Sequence, residues 1–429
     1  MPMPVRALPV VQNWDCAGCA ACCRQYAVWV DDDERARIES QGWEKEPDFQ
    51  GVPLFVREGG RLTGSEWKLN ARADGACVFL GPDNRCRIHE RFGSAAKPLA
   101  CRVYPFMLVP AGDHWRLGLR LACPAAAEST GRPLAEHVGE AREYAAILEA
   151  GAGAPAVDAP PTPLRPKQFV PWADLIRFAT AISKLLGDTA APLERRWRTV
   201  LAVAATCRKA SFDGGGDPKK VVTGGRLSEF LHVIGAAMAE EVPAAADEVR
   251  PPSWIGRMVF RPMVALYVRK DSGPEKGAAL RGPVSRVLAA AKFAAGMGRV
   301  PKLHALIPDA TFAAAERPAG PLSPESDALL TRYYRLKVES LQFCGPTNFG
   351  LPFWDGLEAL ALTFPAILWL SRVLTAGGRG REDAIKQAVR VVDDNFGFNK
   401  LLGQARQKFA LRLLANRGEL PRLIAWYGR

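Results

Sequence analysis

Four cysteines fall within eight residues, Cys16-Ala-Gly-Cys19-Ala-Ala-Cys22-Cys23. Thiolates are the usual ligands of structural zinc and of iron–sulfur clusters. Steps of three let a tight turn aim several of them inward, and the small Ala and Gly between them let the backbone approach a metal closely. Further cysteines follow: Cys77 in GACVFL, Cys86 in NRCRIHERFG, Cys101 in KPLACRVYPF and Cys123 in LACP. All eight are read as metal ligands, for zinc or an iron–sulfur cluster, and the spacing alone does not separate the two. Cys207 and Cys344 stand apart and fit small buried hydrophobes. Cys22 and Cys23 are neighbours whose side chains diverge, so two four-thiolate sites are slightly preferred to one. Eight close thiolates concentrate negative charge, which Arg24, Arg85, Arg87 and Arg102 are placed to offset.

Weaker candidates surround this set. Arg102 and Tyr104 flank Cys101 and either donate to thiolate sulfur or serve as a surface arginine and a packed tyrosine. His89, three residues after Cys86, suits a hydrogen-bonding role better than ligation when eight thiols are available. Asp31-Asp32-Asp33-Glu34 reads as an acidic helix start in preference to a hard-cation site. Gly214-Gly215-Gly216 follows no strand and lacks the phosphate-loop spacing. Neither Gly-x-Ser-x-Gly nor HExxH occurs, and no nucleotide fingerprint marks a site for S-adenosylmethionine.

The cysteine run, the Cys-x-Phe-Leu and Cys-x-Ile-His pieces, and Lys-Pro-x-x-Cys-Arg-x-Tyr-Pro-Phe together resemble the YkgJ-type cysteine-cluster proteins. These are bacterial proteins described as zinc- or iron-chelating domains and related to the flagellin lysine N-methylases. The matching residues are Cys16, Cys19, Cys22, Cys23, Cys77, Phe79, Leu80, Cys86, Ile88, His89, Gly93, Lys97, Pro98, Cys101, Arg102, Tyr104, Pro105 and Phe106, with Cys123-Pro124 as a further pair. The resemblance covers roughly residues 14–125. It implies a chelated metal and a role in modifying a protein substrate, with protein lysine N-methylation as the named activity and S-adenosylmethionine as its donor. The residues alone leave two other readings open: a structural zinc module supporting a helical interaction domain, and a metal carrier or redox sensor.

Elements must hold these thiols. The 429 residues exceed what one core usually covers, and 48% hydrophobic with 24% charged residues is an ordinary globular composition. The N-terminal MPMPVRALPVVQNW lacks a signal-peptide apolar core. Leu357–Leu374 is apolar but carries Glu358, Pro365 and Arg372, so it reads as a buried core helix and not a membrane span. A cytoplasmic location is expected, where clustered cysteines favour metal over disulfides.

Residues 1–150 carry 18 Lys+Arg against 20 Asp+Glu, whereas 151–429 carry 39 against 25. The basic residues form no run of five or six, so nucleic acid is not expected as a partner; a protein is. Pro, Ala and Gly dominate 151–166, which reads as a linker between a cysteine-cluster metal-binding domain (1–150) and a helical domain (167–429). Helix is expected near Leu134–Leu148, Trp172–Leu186, Arg195–Ala210, Leu227–Met238, Pro283–Ala295, Asp383–Val392 and Asn399–Leu414. Another should start at Ser323-Pro324-Glu325, with breakers at 213–218 and 317–324. The expected class is mainly α: a small cysteine-rich module, with at most a short hairpin, followed by an α-helical domain.

Overall fold

A computed structural model describes residues 3–58, 66–151, 159–212 and 221–429. The whole 213–218 breaker, with its Gly214–Gly216 run, lies outside the described residues, as do 152–158 of the linker. The fold is mainly α, and its cysteine-rich part comes first.

That first part holds six short strands: β1 (Val5–Arg6), β2 (Trp29–Val30), β3 (Phe55–Glu58), β4 (Glu66–Leu69), β5 (Phe106–Pro110) and β6 (Trp115–Leu119). Its helices are α1 (Ala21–Gln25), α2 (Asp32–Glu39), α3 (Arg87–Phe92), α4 (Leu99–Val103), α5 (Pro124–Glu128) and α6 (Val138–Ala150). Two three-stranded sheets form, in the orders β2-β4-β3 and β1-β6-β5, where a single hairpin was expected. In the second, β5 and β6 are antiparallel with Phe106 opposite Leu119, and β1 runs parallel to β6 with Val5 opposite Trp115. Every residue of β6 is buried, so this strand is a core element of the whole chain. Its Gly118 leaves room for the segment at Ser340, since a Cβ there would stand 2.8 Å from the Cβ of Ser340.

The helical part comprises α7 (Trp172–Gly187), α8 (Leu193–Lys209), α9 (Gly224–Glu241), α10 (Trp254–Val268), α11 (Pro283–Ala295), α12 (Phe312–Glu316), α13 (Pro324–Glu339), α14 (Phe353–Ala376), α15 (Arg381–Asn395), α16 (Ala405–Asn416) and α17 (Glu419–Gly428). The expected cap of α13 is present: Ser323 accepts from the Ser326 amide, with Pro324 in the first turn. Helix α14 is the axis of the fold. It is long and apolar enough to cross a membrane, but 89% of its most apolar window is buried inside the protein. It packs against α15, α17 and α12.

A small apolar cluster of Val30, Ile38, Trp43, Phe49, Leu69, Val78, Phe79 and Ile88 supports the β2-β4-β3 sheet. The main core is continuous from Met3 and Val5 through Trp115 and Leu117 to Tyr427. Of the stretch 151–166, the described end is fastened. The amides of Phe353 and Trp354 donate to the carbonyls of Pro163 and Leu164, and Leu164 is fully buried.

Candidate metal centre

The first cysteines sit on a turn that needs two left-handed residues, Gly18 at φ 63° and Ala20 at φ 56°. Cys16 and Cys19 are exposed on it. Helix α1 begins at Ala21 and carries Cys22 and Cys23, whose sulfurs are 4.0 Å apart. The carbonyl of Cys23 accepts from the Cys77 amide at 2.8 Å, which ties the two cysteine segments together. Ala20, Ala76 and Leu80 pack beside Cys23, so the small residues of the motif serve close packing. Bridges Ala71–Cys77 and Leu80–Cys86 shape the expected knuckle. Cys86 then stands at the N-cap of α3, Cys101 within α4, and Cys123 at the N-cap of α5.

The thiols fall into two neighbourhoods. Burial raises Cys101 far above an ordinary thiol, and the nearby Cys77, Cys86 and Cys22 add to it. Burial likewise pushes Cys77 up to about 11, with Cys86 and Cys22 adding. For Cys22 the contact with Cys23 is the largest cause of a raised value, ahead of burial. Cys22, Cys77, Cys86 and Cys101 therefore share one electrostatic site. The second neighbourhood holds Cys123, which burial raises and Cys19 raises further, while the amides of Ala126 and Ala125 and the indole of Trp14 oppose them. Among the described residues no three His, Cys, Asp or Glu side chains stand close enough to hold an ion as placed. The donor set still fits a thiophilic centre in chemistry: its members are all sulfur, mostly half-buried, and crowding with burial raises Cys22, Cys77, Cys101 and Cys123.

Of the four cations expected from sequence, Arg24, Arg85 and Arg87 pair with Asp74, Asp83 and Asp48, and Arg102 lies over the Tyr144 ring. Two further cations act on the thiols: Lys97 favours the thiolates of Cys22 and Cys101, and Arg72, which also pairs with Asp74, favours that of Cys77. His89 is exposed on α3 and joins no group. Asp31 caps α2 in a full capping box with Glu34, as the helix-start reading requires. Glu34 also accepts from the Leu99 amide at 2.6 Å, so the acidic cluster fixes the start of the helix that bears Cys101.

A charged knot beside the thiols escaped the sequence reading. Asp394 of α15 accepts from Tyr26 at 2.7 Å, Arg120 at 2.9 Å and Lys270 at 2.7 Å. Burial pushes Asp394 up, but Lys270 and Arg120 outweigh it and hold the carboxyl below its usual value. The Arg120 guanidinium lies over the rings of Phe398, Tyr26 and Tyr104. The adjacent Asp393 is fully buried, pairs with Lys337 at 2.5 Å, and accepts from the Ala122 amide next to Cys123. A regular offset could have revealed the knot: Tyr26 and Tyr104 follow Cys23 and Cys101 by three residues, and Arg120 precedes Cys123 by three.

Compared with known proteins, residues 15–127 match the family model described as "CxxCxxCC: putative zinc- or iron-chelating domain". No curated protein and no solved structure matches the chain. The family match supports metal binding by this module.

Proposed function

We propose that the protein carries its metal as two thiolate-ligated centres and that the first of them is structural. Cys22, Cys77, Cys86 and Cys101 form the first; Cys19 and Cys123 anchor the second, to which Cys16 and Cys23 are assigned as the remaining thiols of the eight. The observation that carries this reading is the division of the thiols into two neighbourhoods, one around Cys101 and one around Cys123. When bound, the metal supplies fixed positive charge to crowded thiolates and joins segments that no large local core would otherwise hold. The chain's own residues prepare the site: Lys97 and Arg72 favour the ionised thiols, Glu34 sets α4, and the Cys77–Cys23 backbone bond sets the register. Because the knot on Asp394 ties the same segments to α10 and α15, the loaded module presents the helical body as one surface to a protein partner. Participation in lysine N-methylation rests on the resemblance alone.

Anaerobic purification followed by absorption spectroscopy and analysis for iron, sulfide and zinc tests the reading. A brown protein with inorganic sulfide identifies iron–sulfur centres; a colourless one with stoichiometric zinc identifies zinc. Cys101→Ser should lose the first centre and become protease-sensitive in the cysteine-rich part. A metal-free protein whose thiols all react freely, with the fold intact, would refute it.

A further inference from the structure

Helix α11 is apolar on two opposite sides. At 100° per residue, Ala289 and Phe293 share one face, and both are buried. Val284, Val287, Leu288 and Ala291 share the other, at spacings of three, four and seven, and all four are exposed. Val284 and Val287 are each 70% exposed and Leu288 57%. A contiguous aliphatic stripe on a surface helix needs a covering partner.

The surroundings of the stripe have one sign. Between Arg250 and Pro308 lie eleven Lys or Arg and only two acids, Asp271 and Glu275. This stretch therefore holds +9 of the +14 carried by residues 151–429. Some of its cations are used internally: Arg261 pairs with Glu316, Arg269 with Asp271, Lys270 with Asp394 and Lys302 with Asp309. Arg281, Arg286, Lys292 and Arg299, which surround α11 in sequence, are exposed and form no ion pair among the described residues. No acidic residue occurs from Lys276 to Pro308.

Helices α10 and α11 run as an antiparallel hairpin: the Gly277 amide, leading into α11, donates to the Lys270 carbonyl just past α10, while Arg261 in the middle of α10 donates to the carbonyl of Ala295 at the end of α11. That direction places Met297 and Trp254 toward the same end of the hairpin, and they are 72% and 74% exposed. An exposed indole suits the headgroup zone of a bilayer.

We infer that the α10–α11 hairpin docks on an anionic lipid bilayer, with the Val284–Val287–Leu288 stripe entering the interface and Arg281, Lys292 and Arg299 meeting lipid phosphates, while Arg286, on the far side of α11, holds the Leu280 carbonyl. Charge complementarity selects this occupant. A nucleic acid would use the cations and leave the aliphatic stripe uncovered. A protein interface mixes both signs at its rim, whereas a bilayer surface asks for cations throughout and for an apolar wedge between them.

Co-sedimentation of the full chain with vesicles tests this directly. The protein should pellet with phosphatidylglycerol–phosphatidylcholine vesicles, should stay in solution with phosphatidylcholine alone, and should be released by high salt. Arg281, Lys292 or Arg299 changed to Ser should each weaken partitioning by about fivefold. Val287→Asp with Leu288→Asp should abolish it while leaving the thermal unfolding midpoint unchanged, because both side chains are exposed. Val233→Asp on α9, also an exposed site, should bind as the parent does. Equal binding to neutral vesicles, or indifference to the α11 changes, overturns the inference. So does binding of a helical acidic peptide with no uptake by anionic vesicles.

Discussion

A helix turns its residues by about 100°, so adjacent side chains leave it in different directions. Cys22 and Cys23 do this on α1 and still bring their sulfurs within 4.0 Å, which places the pair at a junction. One sulfur faces the Cys77–Cys86–Cys101 group; the other packs by Ala20, Ala76 and Leu80. Two centres predict that Cys22→Ser and Cys23→Ser each lose half of the bound metal, and that the remaining half differs in spectrum or chelator resistance. A single centre at saturation, left whole by one of the variants, would end the two-site arrangement. The ligand types were legible because cysteine density is rare. The charge partners were less so, because sequence proximity is a poor guide to ion pairing: Arg24, Arg85 and Arg87 pair with aspartates, and Lys97 and Arg72, which no cysteine motif singled out, act on the thiols.

Among the elements, α15 bears most on the cysteine module. Asp393 and Asp394 are consecutive, so they also diverge. One holds Lys337 and the Ala122 amide, the other Tyr26, Arg120 and Lys270. Removing one partner of a buried charge set leaves the others unpaired, at a cost of about 3–5 kcal/mol. Asp394→Ala should therefore lower the unfolding free energy by about 3 kcal/mol and also weaken metal retention, since it frees the segments three residues from Cys23, Cys101 and Cys123. Denaturant melts and chelator-competition rates measure the two effects, and unchanged values for both would remove the knot's role. Helices with clear caps or stripes were legible: α11 spans Pro283–Ala295 as its spacing predicts, and α13 starts on Ser323. Others were hidden by ordinary chemistry. Pro262 sits inside α10 and erases its sequence signal. Asn399 spends its amide on the Leu266 carbonyl and its carbonyl on the Leu401 amide, which delays α16 to Ala405.

For the molecule as a whole, the stretch 151–166 remains the proposed boundary between the two parts, and limited proteolysis is its test. Cleavage should come first within it, near 151–158, because 159–166 is anchored at Pro163 and Leu164. The 46.6-kDa chain should split into pieces of about one-third and two-thirds, and these should travel together until denatured, since one apolar core crosses the boundary. Early cleavage elsewhere, with this stretch protected, would count against the boundary. That shared core could not be read from β1, whose two residues carry no periodicity. Its parallel pairing with β6 is set by burial of that strand against a helix far away in sequence. The distance has a consequence in time. Arg116 of β6 pairs with Glu339, and α13 begins about 200 residues after β6 ends. At about 5–20 residues per second, a ribosome needs roughly 10–40 s to make that interval. Through it the Val30–Ile88 cluster can already gather Cys77 and Cys86, whereas Cys123 belongs to the main core and waits for the later helices. A nascent chain thus holds the second proposed centre open longer than the first, with its thiols the more exposed to oxidation.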